Sequence, residues 1–185
     1  GRLDKANRES EDVHDLLDNL LKWTKSQTGR LNVVRQDLDL NDIIPGVVDI
    51  FEMIAQTKKI DLKYQGSSNP VVVYADNDML KTVVRNFLSN AIKFSPENSS
   101  IEITLSEEGD FAKVSVRDHG VGIAPDRIDS IFKKGETTYG TGGEEGSDLG
   151  LQLCADFARK IDGDVMVEST LGEGSTFSVL VPLKK

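Results

Sequence analysis

The chain has 185 residues, 38% hydrophobic and 29% charged, a composition that supports one substantial core with an appended element and needs no staples. A net charge of -9 with no gathered basic patch argues against general binding to nucleic acid or to an anionic membrane surface. The single cysteine, Cys154, excludes an intramolecular disulfide and Cys-rich metal sites and fits a reducing, cytoplasmic compartment.

The opening "GRLDKANRES" is no signal peptide and reads as the start of a piece cut from a longer chain, whose parent is free to carry a membrane anchor. No apolar run approaches the roughly 20 residues of a membrane span, so no membrane contact is expected of these residues. From Leu3 to Thr28 there is neither proline nor glycine, and Val13, Leu16, Leu17, Leu20, Leu21 and Thr24 recur at helical spacing. This predicts one long amphipathic helix, with Gly29 placed to end it in the left-handed conformation.

"LNVVRQDLDL" alternates like a strand, and "NDIIPGVVDIFEMIAQTKK" opens on capping residues and continues as a helix with Pro45 in its first turns. A strand "IDLKY", a polar loop, a strand "VVVYAD" and a strong helix "NDMLKTVVRNFLSNAIKFS" follow, the last closed by Pro96. "SIEITLSEE" and "FAKVSVRD" form a hairpin across Gly109 and Asp110. "DRIDSIF" is a short helix. "KKGETTYGTGGEEGSD" has almost no apolar residues to bury and reads as a mobile lid. "LGLQLCADFARKIDG" is helical, and "DVMVEST" and "STFSVLVPL" are a final pair of strands. There are no internal repeats. The predicted fold class is α+β, a two-layer sandwich of a mixed sheet under about three helices, preceded by the long helix.

Four stretches carry candidate chemistry. "NFLSNAIKF" sets Asn86, Asn90 and Lys93 along one helix face. Amide oxygens can ligate a hard cation and an ammonium offsets phosphate charge, but the same stripe is also an ordinary solvated face. "RDHGVGIAP" places Asp118 at the end of a strand, an acceptor suited to an exocyclic amine such as that of adenine, before Gly120 and Gly122, which permit close approach of a flat ligand. "GSDLGLQL" runs a glycine-bearing loop into a helix N-terminus that can receive phosphate oxygens. "GEGSTF" is a tight turn offering the Thr176 hydroxyl. Each alone is explicable as a turn or a cap.

In this order the four stretches resemble the N box and the three glycine-rich boxes of the ATP-binding domain of sensor histidine kinases, over residues 31–185. The resemblance implies the Bergerat fold, ATP and Mg²⁺ as ligands, and transfer of the γ-phosphate to a histidine for relay to an aspartate of a response-regulator receiver domain. It implies Asn90 as main Mg²⁺ ligand, Asn86 near the metal and phosphates, and Lys93 on a phosphate. Asp118 would read the adenine amine, with Gly120 and Gly122 lining the purine slot. Gly146 and Gly150, with Leu149 and Leu151 beside the latter, would serve the lid at the phosphates, and Thr176 the water network around adenine. Phe94 and Ile123 are read as slot walls or as core. Lys133 and Lys134 are read as phosphate contacts or as surface lysines. ATP hydrolases of the gyrase and Hsp90 kind place a glutamate base where this chain has Asn86, and an amide cannot take a proton from water.

"LLDNLLKWTKSQTGRL" is similar to the second helix of the dimerisation and phosphoacceptor hairpin, so residues 1–30 are assigned to that hairpin, 31–185 to the ATP domain, and homodimerisation to the N-terminal helix. The acceptor histidine belongs to the first helix, absent from the sequence. His14 lacks the Arg and Pro of acceptor boxes and is expected to be a partly exposed helical histidine. His119 is expected to serve local packing or solvent contact. The chain departs from the family in Asp148, where a glycine is usual and a carboxylate would repel phosphates. It departs again in lacking the second aromatic after Phe132, for which Tyr139 is a possible replacement. These departures leave an alternative, a non-catalytic nucleotide-binding or dimerisation module with a degenerate lid.

Overall fold

The computed structural model describes residues 2–132, 138–139, 145–146 and 148–185, and of these the backbone alone for 4–13, 15–16, 138–139, 145–146 and 148–149. The elements are α1 (Arg2–Gln27), β1 (Arg35–Asp39), α2 (Leu40–Thr57), β2 (Asp61–Gln65), β3 (Val72–Asp76), α3 (Asn77–Phe94), β4 (Ser100–Glu108), β5 (Phe111–Arg117), α4 (Pro125–Ile128), β6 (Thr138–Tyr139), β7 (Glu145–Gly146), α5 (Asp148–Lys160), β8 (Asp164–Thr170) and β9 (Gly174–Pro182). A five-stranded sheet runs in the order β2-β4-β5-β9-β8, with β2 parallel to β4 and the other pairings antiparallel. The mixed sheet and its helices are as the sequence predicts. Strands β1 and β3 form a separate antiparallel ribbon.

Alternation along the strands decides which face the helices cover. Ile101, Ile103 and Leu105 of β4, Ala112, Val114 and Val116 of β5, and Phe177, Val179 and Val181 of β9 are all buried. Against them lies α3, which buries Met79, Leu80, Val83, Val84, Phe87, Leu88, Ala91 and Ile92. The Phe87 ring sits 5.5 Å from Phe177, and Phe132 meets Phe177 edge-on at 6.2 Å. Each such side chain contributes about 1.5–3 kcal/mol by leaving water.

The helices start on aspartates. Asp76 caps α3 by accepting from the Met79 N–H and also holds the Val34 N–H. Asp39 caps α2, accepting from Asn41 and Val71, so this helix begins before the capping residues expected at Asn41 and Asp42. At the far end of α3 the Lys58 ammonium donates to the carbonyls of Ile92 and Lys93 at 2.9 and 3.0 Å, closing the negative end of the helix. The predicted strand over 31–40 shortens to β1, because β3 ends at Asp76, opposite Arg35. The predicted helix over 126–132 shortens to α4.

Helix α1 presents two stripes. Leu17, Leu20 and Leu21 are exposed. The polar side meets the rest of the molecule: Asn19 donates to Asn86 at 3.1 Å, Lys22 to Thr82 at 3.2 Å, and the buried Ser26 to Asp156, with Trp23 packed on the core. Among the described residues no helix is long and apolar enough to cross a membrane.

Candidate functional site

Helix α3 supplies one wall. Asn86, Asn90, Lys93 and Phe94 are all half-buried, spaced along its last three turns. The two asparagines differ in their surroundings. Asn86 donates to the Thr82 carbonyl at 2.8 Å and accepts from Asn19, so its amide is satisfied at both ends. Asn90 makes no side-chain hydrogen bond among the described residues, and its oxygen stays available to a cation or a phosphate-bound water.

The loop after β5 supplies the second wall. Asp118 is 4% exposed, and its Oδ1 accepts the N–H groups of Gly120 at 2.9 Å and Ser175 at 3.2 Å. Burial pushes this carboxyl above its ordinary value, and the two N–H donors oppose that shift. Its Oδ2 has no hydrogen-bond partner among the described residues. The result is a buried carboxylate fixed by one oxygen, with the other able to accept from a ligand.

Backbone contacts at glycines weld the stretches together. A Cβ on Gly120 would lie 2.1 Å from the Phe94 carbonyl oxygen, one on Gly174 2.2 Å from that of Asp118, and one on Gly150 2.7 Å from the Asn86 Oδ1. The loop after β5 therefore rests on the end of α3, the β8–β9 turn on the loop, and the start of α5 on the middle of α3. Gly122, at φ +70° with its Cβ position 2.2 Å from the Thr170 carbonyl oxygen, anchors the same loop to the end of β8.

Thr176 does not join this cluster. It pairs with Arg117 and Glu168 on the sheet face away from the helices, whereas buried Asp118 lies on the helix side. Its neighbour Ser175, which the sequence reading passed over, is buried and hydrogen-bonded to Asp118. The Ser169 hydroxyl donates to the Gly174 carbonyl at 2.9 Å and accepts from Ile123 at 2.8 Å. The 2.7 Å contact between Ser169 and Ser175 then runs from the Ser175 hydroxyl, which leaves only Ser175 lone pairs for a ligand or water. Alternation counted from the inward Phe177 picks out Ser175 directly.

On the third side, Gly150 and Leu151 are buried in α5, and Ile123 is half-buried against the core. Gly146 lies in β7, paired with Thr138. Lys133 and Lys134 lie outside the described residues, as do the side chains of Asp148, Leu149 and Tyr139, so the roles suggested for them have no geometry here. Phe132 is half-buried and packs against the core through Phe177. His119 pairs with Glu102, its Nε2 at 3.1 Å from both carboxylate oxygens, and His14 is exposed on α1. The α1 residues Asn19, Lys22 and Ser26 were not anticipated; only their polar stripe at helical spacing could have signalled them.

The cluster offers a buried acceptor, an unpartnered amide oxygen and a helix start within one welded frame, a donor set that fits a purine nucleotide with Mg²⁺. Magnesium keeps several waters and takes few protein ligands, in keeping with amide donors.

Comparison with known proteins points the same way. Residues 75–185 match the family model described as histidine kinase-, DNA gyrase B-, and HSP90-like ATPase. Sensor histidine kinase ZraS of Escherichia coli strain K12 is 31% identical over 176 residues, covering 95% of this chain and 36% of that protein. Full-length ShkA, solved with AMPPNP, superposes with a TM-score of 0.79 at 28% identity, over 98% of this chain and 38% of that one. The histidine kinase ThkA, solved in complex with the response regulator TrrA, superposes with a TM-score of 0.76 at 23% identity, over 96% of this chain and 49% of that one, a likeness of fold. The chain thus spans about a third of its curated relative ZraS.

Proposed function

Since the chain belongs to the histidine kinase-, DNA gyrase B- and HSP90-like ATPase family, as the ATP-binding catalytic domain of a sensor histidine kinase, we propose that Asp118 reads the adenine amine, that Asn90 holds Mg²⁺ with Asn86 beside it, and that Lys93 and the start of α5 receive phosphate oxygens. The observation that carries this reading is the half-satisfied Asp118 carboxylate, locked at Oδ1 and unpartnered at Oδ2 among the described residues. Ser175, rather than Thr176, completes the polar contacts around the base. Mg²⁺, when bound, offsets the phosphate charge; the protein's own part is to position the nucleotide and exclude water from the base.

The division at residue 30 follows the reading of α1 as the second helix of the dimerisation and phosphoacceptor hairpin. Its exposed stripe of Leu17, Leu20 and Leu21 suits packing against a first helix and a second copy. The phosphate acceptor is then a histidine on that first helix, the onward partner is a response-regulator receiver domain, as in the assembly of ThkA, and the location is cytoplasmic. Calorimetry with Mg²⁺·ATP tests the binding step. Adding the first helix in trans with labelled ATP tests transfer, and binding without transfer would favour a non-catalytic module. Label on His14 in the chain alone, lost in His14→Ala, would overturn the assignment of α1.

A further inference from the structure

We infer that docked α1 is a latch on the metal side of the site, with Asn19 and bound metal competing for the same Asn86 oxygen. The inference rests on the proposed place of Asn86 beside Mg²⁺ and adds a contact that sets when that place is accessible. The Asn86 Oδ1 accepts the Asn19 amide at 3.1 Å, and a Cβ at Gly150 would fall 2.7 Å from the same oxygen. Asn86 Nδ2 is held by the Thr82 carbonyl at 2.8 Å, which fixes the amide plane and keeps it from turning to offer a second oxygen position. The Asn19 N–H occupies one lone pair of that oxygen, and a cation approaching it meets the Asn19 amide hydrogens, which positive charge repels, so metal and Asn19 oppose each other at Asn86.

The contact is part of a zipper. Lys22 donates to Thr82, one turn before Asn86, and Ser26 donates to Asp156 of α5. The three contacts sit on one face of α1 at intervals of one helical turn, so they form and break together as the helix docks and leaves. A hydrogen bond of this kind contributes modestly on net, which suits a contact that nucleotide binding must displace.

Trp23 lies among these contacts, half-buried against the core, and is the only tryptophan in the sequence. Its emission therefore reports docking. The whole chain, Asn19→Ala and Ser26→Ala would each be titrated with Mg²⁺·AMPPNP, with AMPPNP in EDTA, and with Mg²⁺ alone, following both heat and Trp23 emission. The latch predicts a red shift when Mg²⁺·AMPPNP saturates the wild type. In both variants emission is already shifted without ligand, and Mg²⁺·AMPPNP binds about threefold to tenfold tighter, the size of one part-buried hydrogen bond. Binding of AMPPNP in EDTA is the same in all three. Equal or weaker Mg²⁺·AMPPNP affinity in both variants at unchanged melting temperature overturns the latch while leaving the proposed function standing, and so does unmoved Trp23 emission at saturation. Failure of every chain to bind AMPPNP refutes the proposed function, and the latch with it.

Discussion

Replacing Asp118 by Asn separates ligand recognition from folding. The amide oxygen can take over both bonds now made by Oδ1, to Gly120 at 2.9 Å and to Ser175 at 3.2 Å, so the loop keeps its anchor. The group lost is the second acceptor, replaced by an N–H that confronts the adenine amine donor to donor. A hydrogen bond to a charged group contributes about 1.5–3 kcal/mol, which corresponds to a loss of about 10- to 150-fold in affinity. Stability moves the other way. The carboxyl is raised by burial in the folded state, so its contribution to stability is fully present below its unfolded value and lost as pH rises through its folded value. At neutral pH the ionised group is therefore a liability that the neutral amide removes. Asp118→Asn should melt at or slightly above the wild-type temperature while losing most affinity for Mg²⁺·AMPPNP. Its preference over the guanine analogue should shrink too, because Asn can donate to the guanine carbonyl where Asp cannot. Calorimetry and circular dichroism melts read both effects. A well-folded variant that binds Mg²⁺·AMPPNP within about threefold of wild type would refute the assignment of Asp118 to the base.

Gly120→Ala must push its Cβ away from a backbone oxygen 2.1 Å distant, and is expected to cost about 1–3 kcal/mol in denaturant melts, whereas Gly46→Ala, exposed in α2 with open space around it and no positive φ, should not destabilise. Ser175→Ala removes the hydroxyl beside Asp118 and should weaken AMPPNP binding about threefold to tenfold, while Thr176→Ala, on the opposite face, should leave it unchanged; the reverse order would return Thr176 to the site. His119→Asn should leave binding intact and shift neutral-pH stability by less than about 1 kcal/mol, as befits a surface pair. Burial alone would raise the Glu102 carboxyl, but its bond to His119 leaves it below the ordinary value, so its contribution to stability is present above the unfolded value and lost as pH falls through the folded one. Acid titration of wild type against His119→Asn should show a small wild-type advantage near neutral pH that disappears as the pH falls through the acid range.

The elements that were legible in the sequence are those whose signal is local. Period-two burial in β4, β5 and β9 and the apolar stripe of α3 follow from residue order, and so does the place of Asp118 at the end of β5, just before Gly120. What failed needed a partner to be known. The start of α2 moved to Asp39 because that side chain also collects the Val71 N–H from across a loop. The strand over 31–40 lost its first residues because β3 runs out at Asp76. Thr176 was chosen for its hydroxyl, whereas the phase of alternation set by Phe177 decides which hydroxyl faces inward.

The same distinction explains α1 and both asparagines of the proposed metal site. Periodicity reveals that a helix has an apolar stripe, and it is silent on which stripe meets its neighbour. Here Leu17, Leu20 and Leu21 stay exposed while Asn19, Lys22 and Ser26 make the contacts. By spacing alone Asn86 and Asn90 look equivalent, one turn apart on one face, and only the family resemblance separates their roles. In the structure Asn86 is held by Thr82 and Asn19, whereas Asn90 has no partner among the described residues. A half-buried amide without a protein partner is left to solvent, and a ligand can replace that water without breaking a contact within the protein. In the proposed site, Asn90 is therefore the residue through which metal binding would add affinity directly. In the same proposal, Asn86 is the one through which that affinity would be coupled to the position of α1.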